Sequence, residues 1–422
     1  MRISPLEAWA AERTGGDLAA WQLRRLNETL ALARESRWYR RRLPERVGAL
    51  SDLAGLPLMS AEDLREQGSA LACVPQREVA RIVTLSTSGS AGAPKRVYFT
   101  GADQEGTVDY FHHGLATLVR PGDRMMVCYP CRTPGGLGDL ICRALARIPA
   151  VPVPWGVIGS LEEAGALLER EGVETLVGFP VQLLALAKYC AARKLRCRVR
   201  AVLLSADAAV PGVSAALARL WGCEVFEHYG MTEMGLGCAV DCAAHAGLHI
   251  RENDLLLEVV DGAGRPVPDG IEGELAFTTL TRTAMPLIRY RTGDRSALLP
   301  GRCPCGCALR RIAPPRRMEG GALSLAAWDE ALLPLPGLSD FRITLRGGEV
   351  LLEAEGQRAC PPLSAPALEE AVRHLLPRGM ELQVRILCRE NRLELHRGCK
   401  RTIRRACPAP DGHPHRREEA GP

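Results

Sequence analysis

Apolar positions follow two rhythms along the chain. Between residues 19 and 43, Leu23, Leu26, Leu30, Ala33 and Tyr39 fall at helical spacing with arginines between them, which predicts an amphipathic helix packed on a larger body. In Ser60-Ala61-Glu62-Asp63 a hydroxyl and an acid three residues later form a capping-box variant that starts a second, short helix. From Arg124 onward, short apolar runs at 125–129, 176–179, 199–204 and 225–228 predict strands. The stretches 181–193 and 213–221 predict helices between them, the latter closed by Gly222. Strand and helix in alternation imply a parallel sheet, whose ligands bind beyond the carboxyl ends of its strands, here the loops after Leu204 and His228.

Beyond Gly247 the pattern becomes richer in period two. Residues 255–260 end at the turn Asp261-Gly262, and 274–280 alternate Leu275, Phe277 and Thr279 with the opposite face. After Arg317 the character changes again. Strands at 341–345 and 349–353 flank Gly347-Gly348 as a hairpin, Ser364 caps a helix running through Leu376, and strands at 382–387 and 393–396 close a small α+β unit. From about residue 406 the chain is rich in Pro, His and Arg and reads as a disordered tail. The expected class is α/β, with a large N-terminal domain of mixed sheets and helices over 1–316, a small α+β domain over 317–405 and a tail over 406–422.

Composition narrows the function. Of 422 residues 46% are apolar, which excludes wholesale disorder, and only 5% are aromatic, which disfavours a stacking platform for single-stranded nucleic acid. Lys and Arg exceed Asp and Glu by five (54 minus 49), much of the excess lying in 34–46 and 397–417. So weak a bias suits a small polyanion such as a nucleotide rather than a nucleic acid. No export signal opens the chain and no run of about 18 apolar residues occurs, so a cytoplasmic, membrane-free protein is expected. The 16 cysteines should then be reduced thiols, of which only those at ligand spacing suggest a metal.

Three motifs carry chemistry. Thr87-Ser88-Gly89-Ser90-Ala91-Gly92-Ala93-Pro94-Lys95 follows a β-like run and offers flexible backbone, hydroxyls and a counter-charge to phosphate, in an order that is not a Walker A loop. Glu227-His228-Tyr229-Gly230-Met231-Thr232-Glu233 ends a predicted strand with a ring able to stack on a base and a hydroxyl beside a carboxylate able to hold phosphate and Mg²⁺. Ile288-Arg289-Tyr290-Arg291-Thr292-Gly293-Asp294 presents a carboxylate able to accept two ribose hydroxyls.

The order and spacing of the three resemble the acyl-adenylate-forming (AMP-binding) superfamily, and within it the phenylacetate-CoA ligase-like branch. Segments around Ser36-Arg37-Trp38-Tyr39-Arg40, Gly135-Gly136-Leu137-Gly138 and Gly247-Leu248-His249-Ile250 are similar to that branch in particular, over about residues 20–355. The resemblance implies that Thr87, Ser88, Gly89, Ser90, Gly92 and Lys95 cradle the phosphates of ATP. Ser205, Ala206 and Asp207 would line the adenine and acyl sites, and Tyr229 would stack on adenine with His228, Gly230 and Met231 beside it. Thr232 and Glu233 would meet the α-phosphate and Mg²⁺, Asp294 the ribose, and Tyr129, Gly136 and Phe179 the acyl group. The small domain is mobile in that family and turns about a hinge that here reads Arg316-Arg317-Met318-Glu319, with Arg317 facing the nucleotide. Lys400 matches the lysine that assists adenylation.

Cys303 and Cys305 in Cys-Pro-Cys-Gly-Cys, with Cys242 and His249 some 55 residues earlier, suit a closed tetrahedral Zn²⁺ site, with His245 and Cys307 as spares. The expected activity is ATP-dependent ligation of an aryl or arylacetic acid to coenzyme A through an acyl-AMP. A carrier protein or an amine as acceptor, and a non-catalytic nucleotide-binding relative, stay open. Oligomeric state is open too, a homodimer included.

Overall fold

The computed structural model describes residues 4–85, 94–318, 323–396 and 401–405. Helices α1 (Pro5–Thr14), α2 (Leu18–Ala33) and α3 (Ala61–Gln67) precede the hairpin of β1 (Arg81–Leu85) and β2 (Lys95–Phe99). The expected alternation follows: α4 (Gly101–Leu115), β3 (Arg124–Val127), α5 (Leu137–Leu145), β4 (Val151–Pro154), α6 (Leu161–Glu171), β5 (Thr175–Gly178), α7 (Pro180–Ala192), β6 (Ala201–Leu204), α8 (Pro211–Trp221) and β7 (Glu224–Tyr229). Short strands come next: β8 (Ala239–Val240), β9 (Leu248–Ile250), β10 (Leu255–Val260), β11 (Gly273–Thr279), β12 (Tyr290–Ser296), β13 (Leu298–Leu299), β14 (Arg311–Ile312) and β15 (Arg316–Arg317). The C-terminal unit holds α9 (Leu325–Leu332), β16 (Leu338–Arg346), β17 (Glu349–Gln357), α10 (Ala365–Val372), β18 (Glu381–Arg389) and β19 (Arg404–Arg405).

The main sheet has nine strands in the order β13-β14-β9-β8-β7-β6-β5-β3-β4. Pairing from β4 through β7 is parallel, and from β7 through β13 antiparallel. Strands β5 and β6 are buried along their whole length, as a sheet covered on both faces requires. Alternate residues serve opposite cores: Met125 and Val127 pack with Phe111, Leu115 and Ile141, while Met126 packs with Leu168, Leu183 and Leu217. A four-stranded sheet, β10-β11-β12-β15, lies beside it. No helix among the described residues is long and apolar enough to cross a membrane.

The structure departs from the sequence expectation in four places. The first amphipathic helix stops at Ala33 instead of continuing to 43, and Tyr39 is buried through tertiary bonds: its hydroxyl accepts the Ile288 N–H at 3.1 Å and lies 3.3 Å from Met59 Sδ. Ser364 precedes α10 without a side-chain cap. Residues 393–396 form no strand, and β19 instead completes the sheet β18-β17-β16-β19. The expected boundary at 317 falls inside β15, which pairs with β12.

The unit that begins with α9 shares a core with the main body, since Trp328, Leu332, Leu338 and Phe341 belong to one apolar cluster with Leu183, Leu186 and Leu217. At its centre Lys188 of α7 donates to the carbonyls of Leu333, Leu338 and Leu335 at 2.5, 2.6 and 2.7 Å. Burial pulls this ammonium down to about 7. All three carbonyls together are satisfied only by a full –NH₃⁺. Lys188→Met would strand three acceptors in an apolar cluster. The expected loss is about 1–3 kcal/mol of unfolding free energy, measured by urea denaturation.

Candidate functional site

Strand β7 ends in Tyr229, and the chain then reverses sharply. A side chain at Gly230 would place its Cβ 2.6 Å from the Leu236 carbonyl oxygen, so only glycine fits that close approach. A 3₁₀ turn over Thr232–Met234, closed by left-handed Gly235, presents Glu233 inward at 1% exposure. Its Oε1 accepts the Lys95 ammonium from β2 and the Tyr290 hydroxyl from β12, the latter at 3.3 Å, while Lys95 also reaches the Tyr290 hydroxyl at 3.4 Å. Three elements distant in sequence thus meet on one carboxylate. Burial, reinforced by Glu233, holds the Tyr290 phenol protonated.

Beside this cluster, Tyr229 donates to Asp294 Oδ2 at 2.9 Å. Arg317 donates to Asp294 Oδ1 at 3.1 Å and to the Thr292 carbonyl at 3.3 Å. Burial and the neighbouring Asp294 push the Tyr229 phenol well above its ordinary value, so it stays a donor. The structure therefore brings Lys95, Thr232, Glu233, Tyr229, Asp294 and Arg317 to one end of the main sheet. Thr87, Ser88, Gly89, Ser90, Gly92, Glu319 and Lys400 lie outside the described residues. Arg401, next to Lys400, is buried against Asp329 Oδ1 at 2.7 Å and Asp340 Oδ1 at 3.4 Å, within electrostatic reach of Asp207.

The Ser205-Ala206-Asp207 segment leaves β6 with Ala206 at φ +68°, a left-handed conformation that costs a non-glycine residue about 1 kcal/mol or more. Tyr129 donates to the Ser205 carbonyl at 3.0 Å and meets Phe179 edge-on at 5.2 Å. Gly136 is the N-cap of α5. His228, grouped with the nucleotide residues on sequence grounds, turns to the other face of β7: its Nδ1 lies 2.8 Å from Ser205 Oγ, and its ring lies about 6 Å from Phe111 and Tyr110. There it lines an apolar cavity with Phe111, Leu115, Leu137, Ile141 and Leu203. Sequence reasoning missed this lining, although strand alternation in β7 already puts residues 228 and 229 on opposite faces.

A second cluster joins β8 and β9 to the loop after β13. The ligand atoms of Cys242, His249, Cys303 and Cys305 all lie within 4.8 Å of one another. Cys242 and Cys303 sulfurs are 3.7 Å apart, and Cys305 Sγ is 3.3 Å from His249 Nε2. Sulfurs held about 2.3 Å from a tetrahedral Zn²⁺ stand about 3.8 Å apart, so the spacing fits that ion. His249 Nδ1 lies 3.2 Å from the Leu309 carbonyl, which can only accept, so Nδ1 carries the proton and the Nε2 lone pair faces the thiols. His245 instead bonds Asp241 at 2.6 Å, and Cys307 packs in the core.

Residues 49–281 match the AMP-binding enzyme family. The chain is 31% identical to the phenylacetate-coenzyme A ligase of Thermus thermophilus over 70% of this chain and 69% of that one. It is 30% identical to the enzyme of the same name from Escherichia coli, over 71% and 70%. The chain belongs to the AMP-binding enzyme family, in its phenylacetate-CoA ligase-like branch. Among solved structures, this family member is similar to 2-hydroxyisobutyryl-CoA ligase in the postadenylation state, with a TM-score of 0.74 at 22% identity over 95% of this chain and 90% of that one. That likeness extends the fold through the C-terminal unit.

Burial, then Arg251, holds the His228 imidazolium down to about 4, against an ordinary 6.5. The unfolded chain therefore takes up a proton that the folded chain refuses. This share of stability is complete above about pH 6.5 and drains as pH falls toward 4. His228→Leu should show a smaller drop in melting temperature between pH 7 and pH 5 than the wild type.

Proposed function

We propose that the protein is an AMP-forming carboxylate-CoA ligase that activates an aryl or arylacetic acid. The observation that carries this reading is the convergence of Lys95, Glu233, Tyr229, Asp294 and Arg317 at the end of β7, with an apolar cavity on that strand's opposite face beginning at Ser205. A carboxylate is a poor electrophile, so its oxygen attacks the α-phosphorus of ATP and pyrophosphate leaves. The thiol of coenzyme A then attacks the acyl carbon and AMP leaves. Neither step needs an enzyme nucleophile, which agrees with the buried, protonated character of Cys128 and Cys238, whose thiols burial pushes up, the latter to about 12.

Each residue has a physical task. Lys95 supplies positive charge against the phosphates, and Asp294, positioned by Arg317, accepts from the ribose hydroxyls. Tyr229 offers its ring to the adenine. Glu233 and Thr232 supply the hard oxygens that Mg²⁺ prefers, and the ion when bound offsets charge on the phosphates. The 3₁₀ turn places the two residues side by side, and Lys95 and Tyr290 hold the Glu233 carboxylate. In the unit beyond Arg317, Lys400 is the lysine assigned to adenylation. Cys242, His249, Cys303 and Cys305 hold a structural Zn²⁺ that ties β9 to the Cys303–Cys305 loop, remote from the reacting atoms.

Exchange of labelled pyrophosphate into ATP should depend on an added aryl or arylacetic acid, and coenzyme A should accelerate net pyrophosphate release. Glu233→Ala should lower the exchange by about 100-fold or more, in the range found when an electrostatic stabiliser is removed. Exchange independent of acid would exclude the reading. The metal is tested separately: chelation or Cys303→Ser should release one equivalent of zinc and lower the melting temperature, and a metal-free preparation of full stability would exclude the site.

A further inference from the structure

In the connection between β11 and β12, Arg282 is 7% exposed and makes no hydrogen bond or ion pair among the described residues. Its guanidinium lies over the Phe99 ring at 4.4 Å, a contact that covers one face of the group and satisfies none of its N–H donors. Burial draws it down to about 10, so it is still charged at physiological pH. Of the charged groups around it Asp103 favours that charge most, yet both Asp103 oxygens are taken. Oδ1 accepts the Thr283 N–H and hydroxyl at 2.7 and 2.9 Å, and Oδ2 accepts the Thr100 and Ala284 N–H groups at 2.9 and 3.0 Å. A guanidinium buried without a partner is costly unless a negative charge from outside the chain meets it.

Arg282 shares a cavity of about 50 Å³ with two more arginines, Arg13 of α1 and Arg251 of the β9–β10 connection, and with Asp103, Asp254 and Gly235. Arg251 donates from Nε to Asp254 at 2.7 Å, and Arg13 is divided between Asp109 and Asp254 at 3.2 and 3.6 Å. One nitrogen of each arginine is left over: Arg13 Nε, Arg251 Nη1 and Arg282 Nη1 are all buried with no hydrogen-bond partner among the described residues. Three spare cationic donors from three separate segments thus belong to the walls of one cavity.

We propose that this cavity binds a small, singly charged inorganic anion of the size of chloride or bicarbonate, and that the anion completes the support of the turn carrying Thr232 and Glu233. The charge follows from the walls, since Arg13 and Arg251 have carboxylates within 4.0 Å and Arg282 has none. The size follows from the volume: at about 10–15 Å³ for each water-sized sphere, the space admits a monatomic or small planar ion and is too small for a nucleotide or an aryl acid. Arg282 Nη2 lies so close to Gly235 that a Cβ there would come within 2.8 Å of it, and Thr107 donates to the Gly235 carbonyl at 3.0 Å. Gly235 closes the turn over Thr232–Met234, and Glu233 is within electrostatic reach of Arg282. An uncompensated guanidinium there repels any cation brought to Glu233, and an anion beside it removes the repulsion. This link to Glu233 rests on the ligase reading, in which the cation is Mg²⁺; the anion site does not.

Melting curves test the site without recourse to activity. Protein in a chloride-free buffer of a bulky organic sulfonate is titrated with sodium chloride, and separately with sodium bicarbonate, up to about 100 mM at fixed pH and constant ionic strength, so that screening does not change. One or both anions should raise the melting temperature by about 2 °C or more with saturation, because the ion binds the folded chain alone, and the arm that saturates at the lower concentration names the ion. Arg282→Met, which removes the charge at similar volume, should fold and be indifferent to both. Crystals soaked in sodium bromide should show the ion by anomalous scattering among Arg13, Arg251 and Arg282. A melting temperature indifferent to both anions, as a cavity holding only water would give, would overturn the proposal, and so would an equal rise in folded Arg282→Met. Should that variant not fold, the absence of bromide from the cavity would overturn it instead. The link to Glu233 is read from the KM for Mg·ATP in acid-dependent pyrophosphate exchange, which should fall about threefold or more when the anion is added to the wild type. An unchanged KM alongside a saturating melting shift would overturn the link and keep the site. Absence of exchange with every acid would overturn the ligase reading and leave the anion site to the melting curves.

Discussion

Everything in this molecule is organised by the geometric rule that neighbouring side chains of a strand leave it on opposite faces. Strand β7 is where the parallel half of the main sheet meets the antiparallel half, and its carboxyl end lies on the side where an open α/β sheet binds ligands. Tyr229 leaves it toward Asp294 and Arg317, and His228 leaves it toward α4 and α5. A one-residue slip in register would exchange the two and remove both environments together. Pairing of β7 with β6 on one side and β8 on the other forbids that slip.

The polar cluster on the nucleotide side is held by the same logic applied across the chain. Glu233 is buried, and Lys95 and Tyr290 supply a counter-charge and a hydrogen bond from strands that reach it from different sheets. A buried pair of this kind gives little net stability, because desolvating two charges offsets their attraction. Its value lies in position: the carboxylate has one place to be, defined by β2, β12 and the turn after β7. Lys188 does comparable work on the opposite face, where one ammonium gathers three carbonyls and fixes α9 and β16 against α7.

Much of this is legible in the sequence because it is local. The capping box at Ser60, the β-α alternation from residue 124 and the close of α8 at left-handed Gly222 follow from patterns within a few residues of each other. The clustering of Cys242, His249, Cys303 and Cys305 follows from ligand chemistry at recognisable spacing. What escapes is what other segments decide. Tyr39 continues a helical rhythm yet lies beyond the helix, because Ile288 and Met59 supply its partners from far along the chain. Residues 393–396 have strand composition, but β16 pairs instead with Arg404–Arg405. The cavity residues Phe111, Leu115 and Ile141 read as ordinary helix faces, and only the packing of α4 and α5 over β6 and β8 leaves space between them.

The C-terminal unit contributes to the site through charge as well as through packing. Arg401 is 5% exposed, with its guanidinium over the Phe341 ring at 4.6 Å and paired to Asp329 and Asp340. Burial drives the Asp329 carboxyl up to about 7, and Arg401 is the largest influence that opposes it. Arg401 is charged in any case and favours the ionised form of Asp329, so the position of residue 401 and the ionisation of Asp329 are coupled. Asp340, which also binds His396 at 2.8 Å, extends that coupling to the end of the segment that precedes residue 397. His396 and Arg401 are therefore both held on carboxylates of one small sheet and helix, and the charge of Arg401 acts on Asp207 at the mouth of β6. Ion pairs internal to the small unit thus fix a buried positive charge within electrostatic reach of the loop that leaves β6.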